Sequence, residues 1–236
     1  WVTVEFKHYA YNGDGADGIA FTLSDATVPA VPGAYGGSLG YAQKTLAGTG
    51  SPVVAGEGDL PGFAGGWIGL GIDEYGNYSV QAEGRIGGRT TTSNALIRDS
   101  VSVRGSGNAL TGYPYLAGTG TLSTGIDNAG STTAAYGHSY RLTVDARCYQ
   151  RNTSNTDITC SNPSLDKKAR VVIERDTTGT GSSYTTLLGP FDAYAANPSQ
   201  ADVPENWQLS FTGSTGTVTN IHEISGLKIC AQTYVP

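Results

Sequence analysis

Methionine is absent from the 236 residues, and charge is scarce: 14 Lys and Arg stand against 20 Asp and Glu, with a formal net charge of −6. With so few cations there is no basic stripe for a phosphate backbone and no polybasic anchor for a membrane surface, so nucleic acid is excluded as a partner. No apolar run approaches the roughly 20 residues that a bilayer-spanning helix needs. Trp1 opens directly into a strand pattern with no basic leader, so the chain reads as soluble and as processed or excerpted. Sustained helical periodicity is also missing. What is plentiful is Gly, 34 residues and about twice its usual share, together with Thr, Ser, Tyr and Val. That mixture favours short strands joined by tight turns.

The chain order bears this out. In residues 1 to 8, Val2, Val4 and Phe6 alternate with Thr3, Glu5 and Lys7, the pattern of a half-buried antiparallel strand. A turn, YNGDGADG, leads into a second strand at 19 to 23, and the two read as a hairpin whose loop carries Asp14 and Asp17. From 24 to 65 regular patterning fails among prolines and glycines, which predicts a long ordered loop region of the kind that carries function. Further strands are expected at 67–72, 100–104, 140–145, 169–175, 183–188, 207–211 and 221–229, with a Gly/Tyr-rich connection over 105–137 that has no period. The expectation is one all-β domain spanning 1–236, a sandwich or jelly roll of antiparallel sheets.

Cysteine is nearly absent as well, at positions 148, 160 and 230. Cys148 and Cys160 bracket a polar stretch that a disulfide would close. Cys230 is left over, either a buried thiol between Leu227 and Ile229 or a bond to another chain. Low charge and a candidate disulfide suit an extracellular or cell-surface protein.

The chemistry concentrates in GGWIGLGIDEYGNYS, 65 to 79. An apolar run stops at Asp73-Glu74-Tyr75-Gly76-Asn77, and Asp73, Tyr75 and Asn77 stand two apart, as ligands do in calcium loops.

Four segments belong together in order, this one being the third: GADGIAFTL at 15–23, PGAYGGSLGYAQ at 32–43, WIGLGIDEYGNYS at 67–79 and ENWQLSFTGSTGTVTNIHEISGLKI at 205–229. Together they resemble the L-type (legume-like) lectin domain, particularly bacterial members on surface and adhesin-type proteins. The resemblance implies a concanavalin A-like β-sandwich and reversible, calcium-assisted binding of glycans. It places Asp17 as the acceptor for sugar hydroxyls, with the Ala16–Asp17 bond cis. Gly37 becomes the backbone donor to the sugar, Asn77 a ligand to both calcium and sugar, and Ser214-Thr215-Gly216 the flanking loop. It also makes Asp73 the shared acidic ligand and has Tyr75 give its carbonyl to calcium. For the remaining calcium carboxylate, Glu83, Asn94 and Asp99 are candidates. Tyr35, Tyr41 and Tyr78 could offer the aromatic surface that a pyranose ring calls for.

Two departures qualify the resemblance. Legume lectins place a glutamate two residues before the shared aspartate to hold a transition metal, whereas here that position is Gly71, so one metal at most is expected. The strands that usually precede the segment resembling 1–8 are also missing, which allows strands from a neighbouring molecule to complete an open sheet edge. This gives an alternative reading: a structural subunit of a surface assembly or filament. Catalysis is not expected. A retaining glycosidase needs two carboxyl groups roughly 5 Å apart, and the adjacent Asp73 and Glu74 point to opposite faces of a strand. Glu74 is therefore expected to be a solvated neighbour, and His8, His138 and His222 to be structural.

Overall fold

The computed structural model describes residues 1–45, 58–90, 95–127, 137–146 and 168–232. Cys148, Cys160 and Asn94 lie outside the described residues. Among the described residues there are twelve strands, one 3-10 turn at Gly36–Ser38 and a single helical turn at Ala193–Ala196. The class is all-β, as the composition predicts.

The chain divides into two compact units. The first comprises Trp1–His8, Tyr136–Ser199 and Glu223–Pro236. Its sheet has the order β10-β9-β8-β1-β12, with β1 at Val2–Tyr11, β8 at His138–Asp145, β9 at Arg170–Asp176, β10 at Thr185–Asp192 and β12 at Ile221–Ala231. The alternation read at the start of β1 continues across the register: Val4 faces Leu142 and Phe6 faces Tyr140, with the Phe6 and Tyr140 rings stacked 5.8 Å apart. The pairing β8 to β9 sets Leu142 beside Ile173 and Val144 beside Val171, all buried.

The second unit comprises Tyr9–Ala135 and Gln200–His222. Its sheet has the order β11-β2-β3-β4-β7, with β2 at Gly18–Asp25, β3 at Gly66–Asp73, β4 at Ser100–Arg104, β7 at Tyr115–Gly118 and β11 at Trp207–Ser214. The glycines of β3 act as receptacles. A methyl built on Gly69 would collide with the Tyr41 ring and one on Gly71 with the Tyr78 ring, so each glycine admits an aromatic side chain flat against the sheet. Tyr41, Tyr78, Phe63, Tyr113 and Leu39 form the cluster that results, with Tyr41 edge-on to Tyr113 at 5.4 Å. Burying that much aromatic surface is the main stabilising term for a sheet so rich in glycine.

Two differences from the sequence reading have simple causes. The connection over 105–137 contains the short strands β5 (Gly107–Asn108), β6 (Thr111–Gly112) and β7, which are too brief and glycine-rich to show a period. Cys230 is half-buried rather than enclosed, because β12 is an edge strand and both Leu227 and Ile229 are 50% exposed.

Candidate functional site

Strand β3 ends on Asp73, and the next six residues fold around its carboxylate. Oδ1 accepts from the Gly76 amide at 2.8 Å, and Oδ2 accepts from the amides of Tyr78 at 2.8 Å and Ser79 at 3.3 Å. Gly76 is required there: its φ is +99°, and a methyl on it would come within 2.6 Å of the Arg98 nitrogen. Asp73 is fully buried. Burial raises its carboxyl, the three amides pull it back, and the balance stands at about 7. The turn thus presents Tyr75 and Asn77, both half-buried, with the Tyr75 ring under the Arg98 guanidinium at 4.3 Å.

Three other segments meet this turn. The Ala16–Asp17 peptide is cis, and the Asp17 carbonyl accepts from the amides of Glu74 at 3.0 Å and Tyr75 at 3.2 Å. The Asp17 amide donates to the Ser214 carbonyl at 3.1 Å, and the Gly36 amide donates to the Ser214 hydroxyl. A methyl on Gly37 would collide with Asn77 Cβ and lie 3.0 Å from its Cγ, so the 3-10 turn approaches Asn77 only because residue 37 has no side chain. The structure therefore brings Asp17, Gly37, Asn77 and Ser214 to one place. Thr215 and Gly216 follow on the exposed part of the same loop, where the Thr215 hydroxyl donates to the Val218 carbonyl.

Asp17 is the least satisfied group of the four. It is 6% exposed, and its Oδ2 has no hydrogen-bond partner among the described residues. Burial raises its carboxyl and the Glu83 charge adds to this, while Arg85 and Lys44 act in the opposite direction. Of the three tyrosines considered for a sugar-facing surface, Tyr41 and Tyr78 are fully buried in the core. Tyr35 is 43% exposed, with Lys44 Nζ 4.5 Å from its ring centre.

The carboxylates considered for a metal are engaged with protein partners. Glu83 pairs with Arg85 at 2.7 Å and Lys44 at 3.7 Å. Asp99 accepts from the Ile126 amide at 2.8 Å. Among the described residues no group of three or more His, Cys, Asp and Glu side chains is arranged to hold a metal ion.

Glu74 differs from its expected role as a solvated neighbour. It is 3% exposed; Oε2 accepts from Asn220 Nδ2 at 3.0 Å, and the other Asn220 amide hydrogen serves Asp127 Oδ1, also at 3.0 Å. Burial raises Glu74 to about 8, with the charges of Asp127, Asp99 and Asp73 adding to the effect against the Asn220 bond. His222 Nδ1 lies 3.9 Å from Oε1, and burial lowers this imidazole to about 4, so it is neutral there. Glu74 lies just past the end of β3, in the bend that follows Asp73, so strand alternation does not set its direction, and both carboxylates are buried.

No protein-family model matches the chain, and no curated protein matches it. The solved structures similar to the chain include the following two. Lectin I-B4 from Griffonia simplicifolia, in a metal-free form, shares 14% identity over 95% of this chain and 70% of its own, with a TM-score of 0.45. The exoplasmic/lumenal domain of VIP36, in a form bound to Ca2+ and Man3GlcNAc, shares 14% identity over 100% of this chain and 70% of its own, with a TM-score of 0.46.

Proposed function

We propose that this chain binds carbohydrate reversibly and breaks no bond, at the site formed by Asp17, Gly37, Asn77 and Ser214 with Thr215, Gly216 and Tyr35 around it. The observation that carries the reading is the Asp17 carboxylate, buried yet with an unpartnered Oδ2, set beside a glycine turn that admits no side chain. A buried acceptor without a donor costs about 1–3 kcal/mol, and a sugar hydroxyl supplies the missing donor. Backbone amides, an Asn side chain and an exposed tyrosine complete the kind of surface that pairs with vicinal hydroxyls and a pyranose face. Asp73 and Glu74 support a non-catalytic role, since one carboxylate is taken up by its own turn and the other by Asn220. An extracellular or cell-surface setting goes with this reading.

The carboxylates that the resemblance assigns to calcium are engaged with protein partners. A hard cation needs 6–8 oxygen ligands, and Asp73 gives its lone pairs to three amides while Glu83 is paired with two cations. As arranged, these residues do not fit calcium, and nothing in the reading depends on it.

The test is a glycan array read with the parent protein and with Asp17→Ala. Selective binding that the substitution abolishes is the expected result; a variant that binds as well as the parent removes the site. A second reading, self-association by strand addition, has one observation in its favour: β12 is an eleven-residue edge strand with Leu227 and Ile229 half exposed. Light scattering that finds only monomers over a wide concentration range would dismiss it.

A further inference from the structure

The second unit buries two arginines and uses them in opposite ways. Arg104, on β4, is 0% exposed and spends its whole guanidinium. Its Nε donates to the Tyr78 carbonyl at 3.0 Å. Nη1 donates to those of Ile86 at 2.9 Å and Tyr113 at 3.0 Å, and Nη2 to those of Val80 at 3.2 Å and Gly87 at 3.1 Å. Five donors meet five carbonyls, four of them between residues 78 and 87, which makes Arg104 a staple for that segment.

Arg85 sits in that stapled segment and is 1% exposed. Its Nη1 donates to Glu83 Oε2 at 2.7 Å and to the Ser38 hydroxyl at 3.2 Å, but Nε and Nη2 have no partner among the described residues. A buried cation with unspent donors is costly, so holding the loop together does not explain it. Its position does. Nη2 lies 3.2 Å from the point where a Gly37 methyl would stand, the point that Asn77 also closes upon. The same charge acts favourably on the carboxylates of both Asp17 and Asp73.

From this placement we infer that Arg85 is the built-in cation of the pocket, a guanidinium fixed behind Gly37 and Asn77 that orders the glycan-binding groups by charge, so that binding requires no metal ion. The inference rests on the carbohydrate reading given above. The ion pairs support it. Arg85 and Lys44 both pair with Glu83, and the charges of both act favourably on the Asp17 carboxylate. The guanidinium also suits the place chemically, because its planar donors fix direction in a way that a bare ion does not. Arg85 acts through its neighbours and is a positioning residue.

The experiment compares the parent, Arg85→Lys and Arg85→Met for binding to the glycan selected on the array, in EDTA and in millimolar calcium chloride, with a thermal melt of the parent in both buffers. Parent affinity should agree within about twofold between the buffers, with an unmoved melting temperature. Arg85→Met should lose about tenfold or more in affinity, and Arg85→Lys, which keeps the charge, should recover most of that loss. Binding abolished by EDTA, a melt raised by calcium, or an Arg85→Met variant that binds like the parent would each overturn the inference while leaving the carbohydrate reading intact. A parent that binds no glycan at all overturns both. Should Arg85→Met fail to fold, the lysine variant and the EDTA comparison decide.

Discussion

Asp73 and Asp176 end strands in different units, and each wraps the following turn around its own carboxylate, yet they sit at opposite ends of the acidity scale. Asp176 accepts from the amides of Thr178, Gly181, Ser182 and Ser183 and from the hydroxyls of Thr178 and Thr180. Burial raises Asp176 too, but the Thr178 hydroxyl, the Ser183 and Thr178 amides and the Thr180 hydroxyl together hold it well below the usual carboxylate range. Asp73 has three amides and no hydroxyl, and burial wins, leaving it at about 7. The cover differs as well. Residues 177, 178 and 180–183, which enclose Asp176, are themselves exposed, whereas Tyr78 and Ser79 beside Asp73 are fully buried. Similar turns therefore serve different ends: one stabilises a charge near water, and the other satisfies buried amides while keeping its carboxyl partly protonated.

The widest gap should come from deleting each carboxylate. Asp73→Ala strands three amides in a buried turn, and at about 1–3 kcal/mol for each unmet donor the loss should be at least about 3 kcal/mol. Asp176→Ala releases more donors, but water reaches them, so its loss should be clearly smaller. Urea unfolding of both variants decides, and equal losses would break the contrast.

The next effect is on pH dependence. Asp73 at about 7 and Glu74 at about 8 retain protons that the unfolded chain releases near the ordinary carboxylate values. The folded state binds more protons, so stability falls as pH rises between about 4 and 8, by at most about 1.4 kcal/mol per pH unit for each group. Asp176 has the opposite sign: its contribution is present above the ordinary carboxylate value and is lost as acid approaches its own lowered one. Melting temperatures should drop from pH 5 to pH 8 in the parent and level off in the Asp73→Asn, Glu74→Gln double variant. In Asp176→Asn that slope should persist while the loss on strong acidification shrinks. A slope that survives the double variant would assign the pH dependence to other groups.

The smallest effect concerns the hydroxyls. Thr178→Val removes one charge-stabilising bond and should raise the Asp176 carboxyl by about one unit, read by side-chain NMR titration. An unmoved titration would mean that the amides alone lower it.

Much of this architecture can be read from the chain, because alternation and turn residues mark strands locally. The reading of 100–104 coincides with β4, and 207–211 and 221–229 fall inside β11 and β12. The gathering of Asp17, Gly37 and Asn77 is legible only when separate segments are taken together in order; no single stretch carries it. Glu74 departs from its expected solvation because its partner Asn220, which also donates to Asp127, comes from a distant part of the chain. Arg85 lies in AEGRIGG, where no strand is expected, and its surroundings include Ser38 and the Gly37 turn from a separate segment. Burial of a charged side chain depends on such long-range cover, and local pattern does not report it.

The contact between Gly71 and the Tyr78 ring constrains how this site can change by substitution. Any side chain introduced at 71 meets the ring first. Installing a glutamate there therefore needs two changes in a fixed order, with Tyr78 shrinking before position 71 grows. The intermediate would carry a ring-sized void in the core and lose the hydrogen bond from the Tyr78 hydroxyl to the Gly69 carbonyl. An acidic residue at 71 is thus separated from the present sequence by a valley in stability, and single-step mutagenesis should seldom recover it.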